Sequence, residues 1–113
     1  MRADELLKRH SAVISTSRRA PISGWGIECG PGWHEIIDDA LTEISKIGRY
    51  QVVQIKEKSG RLRIYMTRYD DTIHEIVERA ERRSLLTCEV CGRPGQLRQC
   101  GAAMVRCDEH VSR

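Results

Sequence analysis

The last quarter of the chain contains two closely spaced pairs of residues that commonly bind metals. Cys88 and Cys91 are separated by two residues, as are Cys107 and His110, and fifteen residues lie between Cys91 and Cys107. A tetrahedral zinc site needs four such ligands, and a Cys-x2-Cys turn closed by Gly92 supplies two of them. The intervening segment is long enough for a hairpin that returns the second pair to the same ion. The pattern therefore predicts one zinc ion per chain, bound by Cys88, Cys91, Cys107 and His110.

Two alternatives to this ligand set remain open. A Cys-x2-Cys pair also occurs in thiol–disulfide centres, or as thiols without a ligand. Cys100 could replace His110 or Cys107, but it has no partner at two-residue spacing. An odd total of five cysteines favours metal binding over a disulfide framework. The opening "MRADELLKRH" places acids where a secretory signal would be basic and then apolar, so we expect a cytoplasmic protein.

The predicted zinc site has a structural rather than a catalytic pattern. Four protein ligands fill the tetrahedron, whereas a catalytic zinc keeps one position for water. The dipeptides His34-Glu35 and His74-Glu75 lack the second histidine of a metalloprotease helix, and neither has the spacing of a zinc deaminase. Cys29 is expected to be a small buried apolar residue rather than a nucleophile. We therefore expect that the protein is not an enzyme.

Hydrophobic periodicity predicts three helices. The first is expected over residues 3–14 and is followed by an irregular loop rich in Ser, Gly and Pro. The second carries Trp33 on its apolar stripe and ends at Gly48, and Asp70 or Asp71 caps the third. No apolar run approaches the length needed to span a membrane.

Between the second and third helices, "QVVQIKEKSGRLRIYMTR" alternates as a β-hairpin around the two-residue turn Ser59-Gly60. Together these elements predict an α+β fold in which a hairpin is packed by two or three helices. We expect a helix–hairpin–helix core in residues 1–86. Residues 87–113 are expected to form a treble-clef-like or ribbon-like zinc module that packs on it.

A two-residue turn fixes the cross-strand partners of the hairpin. Its core face is expected to hold Val53, Ile55, Leu62, Ile64 and Met66. Its other face is expected to hold Gln54, Lys56, Lys58, Arg61, Arg63 and Tyr65. The pairs Lys58–Arg61 and Lys56–Arg63 then place like charges opposite each other, which is unfavourable.

The positive charge of the chain is concentrated in this hairpin. The net charge is +3, and residues 51–69 carry five basic side chains against one acidic. Either these side chains extend into solvent, or an acidic partner neutralises them. The candidate partner-binding residues are Lys56, Lys58, Arg61, Arg63 and Tyr65, with the tyrosine suited to stacking on a base.

Both tryptophans of the chain lie in the segment "GWGIECGPGW". The rings of Trp25 and Trp33 are expected either to pack over the core or to provide an exposed anchor for a protein partner. Tryptophan is enriched among the residues that contribute most to protein interfaces, so Trp25 joins the candidate partner-binding residues.

Three stretches of the chain resemble a group of small uncharacterised bacteriophage and prophage proteins. They are "WGIECGPGWHEII", "VVQIKEKSGRLRIY", and "TCEVCGRPGQLR" with the closing "CDEH", within residues 24–110. The sequence departs from that group at the hairpin, where Ser59, Arg61 and Ile64 replace Phe, Gly and Phe. The resemblance implies a zinc-bearing phage accessory protein but no known activity.

Two functions are compatible with these features. The first is a non-enzymatic protein that binds a host protein or protein–nucleic-acid complex and modulates or inhibits it, for example as an anti-defence protein such as an anti-CRISPR. This step rests on analogy rather than on individual residues. The alternative is a nucleic-acid-binding module that uses the basic hairpin with Arg93, Arg98 and Arg106. The near-balanced charge favours the protein partner, with nucleic-acid binding at most weak.

Overall fold

The structure is a computed structural model that describes residues 2–15 and 26–111. Within these residues the α-helices are α1 (Ala3–Arg9), α2 (His34–Ile47) and α3 (Asp71–Ser84). The strands are β1 (Ile27–Glu28), β2 (Val52–Lys58), β3 (Arg61–Met66), β4 (Gln96–Cys100) and β5 (Ala102–Arg106). One sheet has the order β1-β2-β3, and β4 and β5 form a separate hairpin. The predicted α+β fold class is confirmed.

The β2–β3 hairpin has the predicted register, including the pairs Lys58–Arg61 and Lys56–Arg63. Ser59 and Gly60 form its turn with φ angles of 54° and 87°, as a type I′ turn requires. A bulge between Val52 and Gln54 shifts the alternation at the start of β2. Val52 is fully buried in consequence, and the predicted core position Val53 is only partly buried. That prediction was wrong because the bulge adds a residue to one strand.

The predicted end of α2 at Gly48 and the predicted cap of α3 at Asp70 both occur in the structure. The side chain of Asp70 accepts a hydrogen bond of 2.8 Å from the N–H of Ile73 and caps α3. Gly48 ends α2 in the left-handed conformation, with φ 79°. Helix α3 packs along β3, and the apolar faces of both helices share one core with the sheet. The core they share includes Trp33, Ile37, Leu41, Ile44, Ile55, Leu62, Ile64 and Ile73.

The N-terminal region departs from its predicted single helix. Helix α1 ends at Arg9, and a 3₁₀ turn follows over Ser11–Val13. Ile14 then adopts an extended conformation and pairs in parallel with Val52, while the N–H of Ser15 donates to the Val52 carbonyl at 2.8 Å. Extended backbone suits the β-branched Ile14, and the pairing supplies partners for β2.

Strand β1 lies in a segment that the sequence predicts as a loop. Ile27 and Glu28 pair in parallel with Ile55 and Lys56 on the edge of β2. A two-residue strand has too few residues to show an alternating pattern, so its position depends on the sheet that receives it. No helix in residues 2–15 or 26–111 is long and apolar enough to cross a membrane.

The β4–β5 hairpin packs directly on the core. Val105 is fully buried and belongs to the same cluster as the helix and sheet residues. The turn at Gly60 lies against Leu97 and Ala103, because a Cβ on Gly60 would lie 2.8 Å from the Leu97 side chain. The C-terminal module therefore contacts both the core and the tip of the first hairpin.

Candidate metal centre

The two ligand pairs lie in two tight turns. The N–H of Gly92 donates to the carbonyl of Cys88 at 2.9 Å, and Gly92 has a φ of 82°. The N–H of His110 donates to the carbonyl of Cys107 at 3.1 Å. The first turn precedes β4 and the second follows β5. We call residues 88–92 the metal loop.

The hairpin between these turns brings the pairs together. Gln96 at the start of β4 lies opposite Arg106 at the end of β5, so the chain returns to its starting point. The three sulfur atoms and one imidazole nitrogen of Cys88, Cys91, Cys107 and His110 all lie within 4.8 Å of one another. The cluster could hold a metal ion, as its spacing predicts.

The geometry fits a tetrahedral ion. The Sγ atoms of Cys91 and Cys107 are 3.7 Å apart, and Nδ1 of His110 is 3.7 Å from Sγ of Cys88 and 3.1 Å from Sγ of Cys107. A tetrahedral centre with metal–sulfur bonds of about 2.3 Å has edges of about 3.8 Å. The imidazole therefore presents Nδ1 to the centre, and the four side chains would complete the coordination of a bound ion.

The local backbone favours a thiolate at Cys88. Burial of this side chain raises the pKa, but hydrogen bonds from the backbone of Cys107, Cys91 and Val90 outweigh that effect and lower the pKa of Cys88 to about 6. At Cys91, the Arg93 backbone lowers the pKa, but burial and the neighbouring thiols of Cys107 and Cys88 outweigh it and raise the pKa. Metals bind the deprotonated form, so the lowered pKa of Cys88 favours metal binding at this thiol.

The backbone position of Cys100 separates it from this cluster. Cys100 pairs with Ala102 at the turn of the β4–β5 hairpin, and Ala102 lies five residues before Cys107 on β5. At a strand rise of about 3.3 Å per residue, that separation is roughly 15 Å. The geometry therefore favours His110 and Cys107 over Cys100 as ligands.

A glycine-containing segment supports the metal loop. The carbonyl of Glu89 accepts a hydrogen bond of 2.7 Å from the N–H of Gly32. The Glu89 carboxylate accepts one of 2.8 Å from the N–H of Gly30 and another of 3.1 Å from the guanidinium of Arg106. A Cβ on Gly32 would lie only 2.1 Å from the carbonyl oxygen of Cys88. The sequence Gly-Pro-Gly was the available signal for this contact, which sequence reasoning missed.

The same segment also contains Trp33 and Cys29. Trp33 is fully buried, and its indole N–H donates to the carbonyl of Thr87 at 2.9 Å. Trp33 therefore packs in the core, while Trp25 lies outside the described residues. Burial, followed by the charges of Glu89 and Glu57, raises the pKa of Cys29 to about 12. A thiol with that pKa is a poor nucleophile at neutral pH.

The basic hairpin face is partly neutralised within the protein. Glu81 of α3 lies 3.2 Å from the guanidinium of Arg61 and 3.6 Å from that of Arg63. The expected repulsion across the hairpin is therefore offset on the β3 side. In residues 2–15 and 26–111, Lys56 and Lys58 have no ion-pair partner. Tyr65 lines a groove between β3 and α3.

The two His-Glu dipeptides lie on helices, and neither contributes a ligand to the metal cluster. His74 is exposed, and its Nδ1 lies 2.7 Å from the carboxylate of Glu78. His34 is buried at the start of α2. A third histidine, His10, is buried with its Nε2 2.7 Å from the Asp38 carboxylate. This pair joins α1 to α2, and no spacing in the sequence predicted it.

Comparisons with protein-family models, with curated proteins and with solved structures found no match to this chain.

Proposed function

We propose that this protein is a non-enzymatic binding protein, stabilised by one structural zinc ion, that acts on a partner protein. Zinc is the ion of choice because three thiolates and one imidazole form one of its common structural ligand sets. A complete set of four protein ligands leaves no position for a reacting water. In this role the ion would hold the two turns together and present the rest of the surface to a partner.

The observation that favours a protein partner is the pairing of the arginines. Arg61 and Arg63 share Glu81, and the three arginines within residues 87–111 also have acidic neighbours. Arg93 pairs with Glu109 at 3.3 Å, Arg98 with Asp108 at 2.9 Å and Arg106 with Glu89 at 3.1 Å. A nucleic-acid backbone binds to Lys and Arg side chains that are free to contact its phosphates and release the counterions around them. Internal pairing of these arginines weakens the case for a nucleic-acid module.

The biological setting of the proposal comes from the resemblance to phage and prophage proteins. A compact accessory protein of that kind would act in the cytoplasm of a bacterial host by occupying the surface of a host protein or protein–nucleic-acid complex. The action proposed is modulation or inhibition of that machine, with anti-defence activity such as anti-CRISPR inhibition as the specific form. Lys56, Lys58, Arg61, Arg63, Tyr65 and Trp25 remain the proposed partner-binding residues.

Affinity capture from a bacterial host, followed by binding measurements with the purified partner, tests the proposal. We expect a protein partner to bind far more tightly than DNA or RNA, whose binding should be micromolar or weaker near physiological salt, the non-specific range. Rising salt should chiefly slow association with a protein partner. Sequence-selective nanomolar binding of nucleic acid at physiological salt would contradict the proposal and support the alternative module.

A further inference from the structure

The three cysteines of the metal cluster differ in their exposure to solvent. Cys88 is fully buried and Cys107 is 8% exposed, whereas Cys91 in the metal loop is exposed. Cysteine oxidation depends on access as well as on the state of the sulfur. Of these three side chains, Cys91 is therefore the one that a small reagent in solution contacts most readily.

The exposed cysteine has a second sulfur beside it. The Sγ atoms of Cys91 and Cys107 are 3.7 Å apart, and they belong to the two turns that precede β4 and follow β5. A disulfide bond of about 2.05 Å requires these atoms to approach by roughly 1.7 Å. Cys88 is a further neighbour, but backbone hydrogen bonds from Cys107, Cys91 and Val90 hold its sulfur in place. Cys107 is therefore the better placed partner for Cys91.

An exposed thiolate with a second sulfur beside it is the arrangement that reacts with peroxides. A thiol that coordinates a metal ion is deprotonated. Thiolate character and exposure together favour oxidation to a sulfenic acid, which condenses with a neighbouring thiol to a disulfide. Cys91 meets both conditions when the ion is bound, and Cys107 supplies the neighbouring sulfur.

We propose that Cys91 is a site of oxidation by hydrogen peroxide, and that it then forms a disulfide with Cys107 and releases the metal ion. In the first step the Cys91 thiolate attacks one peroxide oxygen, so that an S–O bond forms, the O–O bond breaks and hydroxide leaves. In the second step the Cys107 thiolate attacks the Cys91 sulfur, so that an S–S bond forms, the S–O bond breaks and a second hydroxide leaves. The two sulfurs lose two electrons, which the peroxide gains.

The disulfide would change the contacts of the metal loop. It removes two of the four ligands, and Cys88 with His110 does not complete a structural zinc site. The same loop presents Glu89, whose carbonyl accepts a hydrogen bond from the N–H of Gly32 and whose carboxylate accepts one from the N–H of Gly30. Loss of the ion should loosen these contacts. The inference rests on the proposed function for the bound ion alone, and not for the partner protein.

The first measurement treats the zinc-loaded wild-type protein with hydrogen peroxide. A chromogenic chelator follows zinc release, and peptide mapping by mass spectrometry identifies the modified cysteines. We expect zinc release together with loss of the Cys91 and Cys107 thiols to one disulfide, and faster hydrogen exchange at the Gly30 and Gly32 amides. A thiol reductant with added zinc should reverse all of these changes.

Three results of that measurement would overturn the proposal. The first is zinc that stays bound while hydrogen peroxide oxidises free cysteine in the same solution. The second is a disulfide between Cys88 and Cys91. The third is oxidation confined to Cys29 or Cys100.

The second measurement compares two variants that keep four ligands. Cys91→His leaves two cysteines and two histidines, a common structural zinc set, but removes the exposed thiol. Peroxide should release its zinc at least about tenfold more slowly than from wild type. Cys107→His is the matched control, since it has the same ligand types but keeps Cys91. A reagent that traps sulfenic acids should still label Cys91 in that control.

Metal analysis before oxidation establishes that each variant is loaded. Release from Cys91→His at the wild-type rate would contradict the role of Cys91, and if neither variant binds zinc the wild-type peptide map decides. A wild-type chain that binds no metal would contradict both the structural ion of the proposed function and this inference. A chain that binds zinc and keeps it under peroxide would contradict this inference alone.

Discussion

The indole N–H of Trp33 donates a hydrogen bond of 2.9 Å to the carbonyl of Thr87, the residue immediately before the first metal ligand. Trp33 is fully buried at the start of α2 and packs in the central core. The same part of the chain contacts the metal loop through Gly30 and Gly32. The proposed ion therefore stabilises a loop whose contacts extend into the main hydrophobic core.

Metal removal should disturb more than the C-terminal module. We expect about one zinc per purified chain, and we expect chelation or Cys88→Ser to unfold residues 86–113 and to loosen α2 through Trp33. Metal analysis, circular dichroism and hydrogen exchange of α2 amides provide the measurements. Cys100→Ser is the control and should retain the metal. A chain that stays fully folded without metal would contradict the structural role.

Gly32→Ala should destabilise the protein because its Cβ would lie 2.1 Å from the Cys88 carbonyl oxygen. We expect a loss of about 2 kcal/mol or more in the free energy of unfolding, measured with denaturant. Gly101→Ala meets no atom within 4 Å, although its φ of 85° is unfavourable for alanine. That control should lose about 1 kcal/mol. Equal losses in the two variants would mean that the contact with the metal loop is not tightly packed.

The carboxylate of Asp70 should make the folded protein less stable as the pH becomes acid. Hydrogen bonds from the Ile73 N–H and then the Tyr50 hydroxyl hold the pKa of Asp70 below its ordinary value of 3.8. Since the folded pKa lies below the unfolded pKa, this contribution is present above pH 3.8 and is lost as pH falls through the folded pKa. The melting temperature of wild type should therefore fall more steeply on acidification than that of Asp70→Asn. Asp71→Asn provides the adjacent control, and parallel curves for wild type and Asp70→Asn would contradict the assignment.

Charge reversal on the basic hairpin face should affect stability differently in β2 and in β3. Lys56→Glu with Lys58→Glu should change the melting temperature little, because neither lysine has an ion-pair partner among the described residues. Arg61→Glu with Arg63→Glu places two acids beside Glu81 and should cost roughly 1 kcal/mol or more. Both double variants should weaken partner binding. Equal melting temperatures of the two double variants would indicate that Glu81 does not neutralise Arg61 and Arg63.

The sequence predicted the features that depend on local geometry. The turn at Ser59-Gly60 fixes the hairpin register, because a two-residue loop allows one alignment of its strands. The ligand spacing similarly predicted which four side chains cluster. Both inferences use residues close together in the chain.

The features that sequence reasoning missed depend on distant partners. Glu81 reaches Arg61 and Arg63 only after α3 packs beside the hairpin. Strand β1 exists because the edge of β2 receives it, and the early end of α1 at Arg9 accompanies the pairing of Ile14 with Val52. Hydrophobic periodicity contains no information on such long-range choices.

The separation of Gly30 from Glu89 has a consequence for the order of folding. These residues are 59 positions apart, whereas the four metal ligands all lie within residues 88–110. Closing a short loop loses less entropy than closing a long one, so an ion can organise the C-terminal turns before distant segments meet. The organised loop then offers both the carbonyl and the carboxylate of Glu89 to the glycine segment. A bound zinc ion would thus favour one order of contacts as this chain folds, in addition to its effect on final stability.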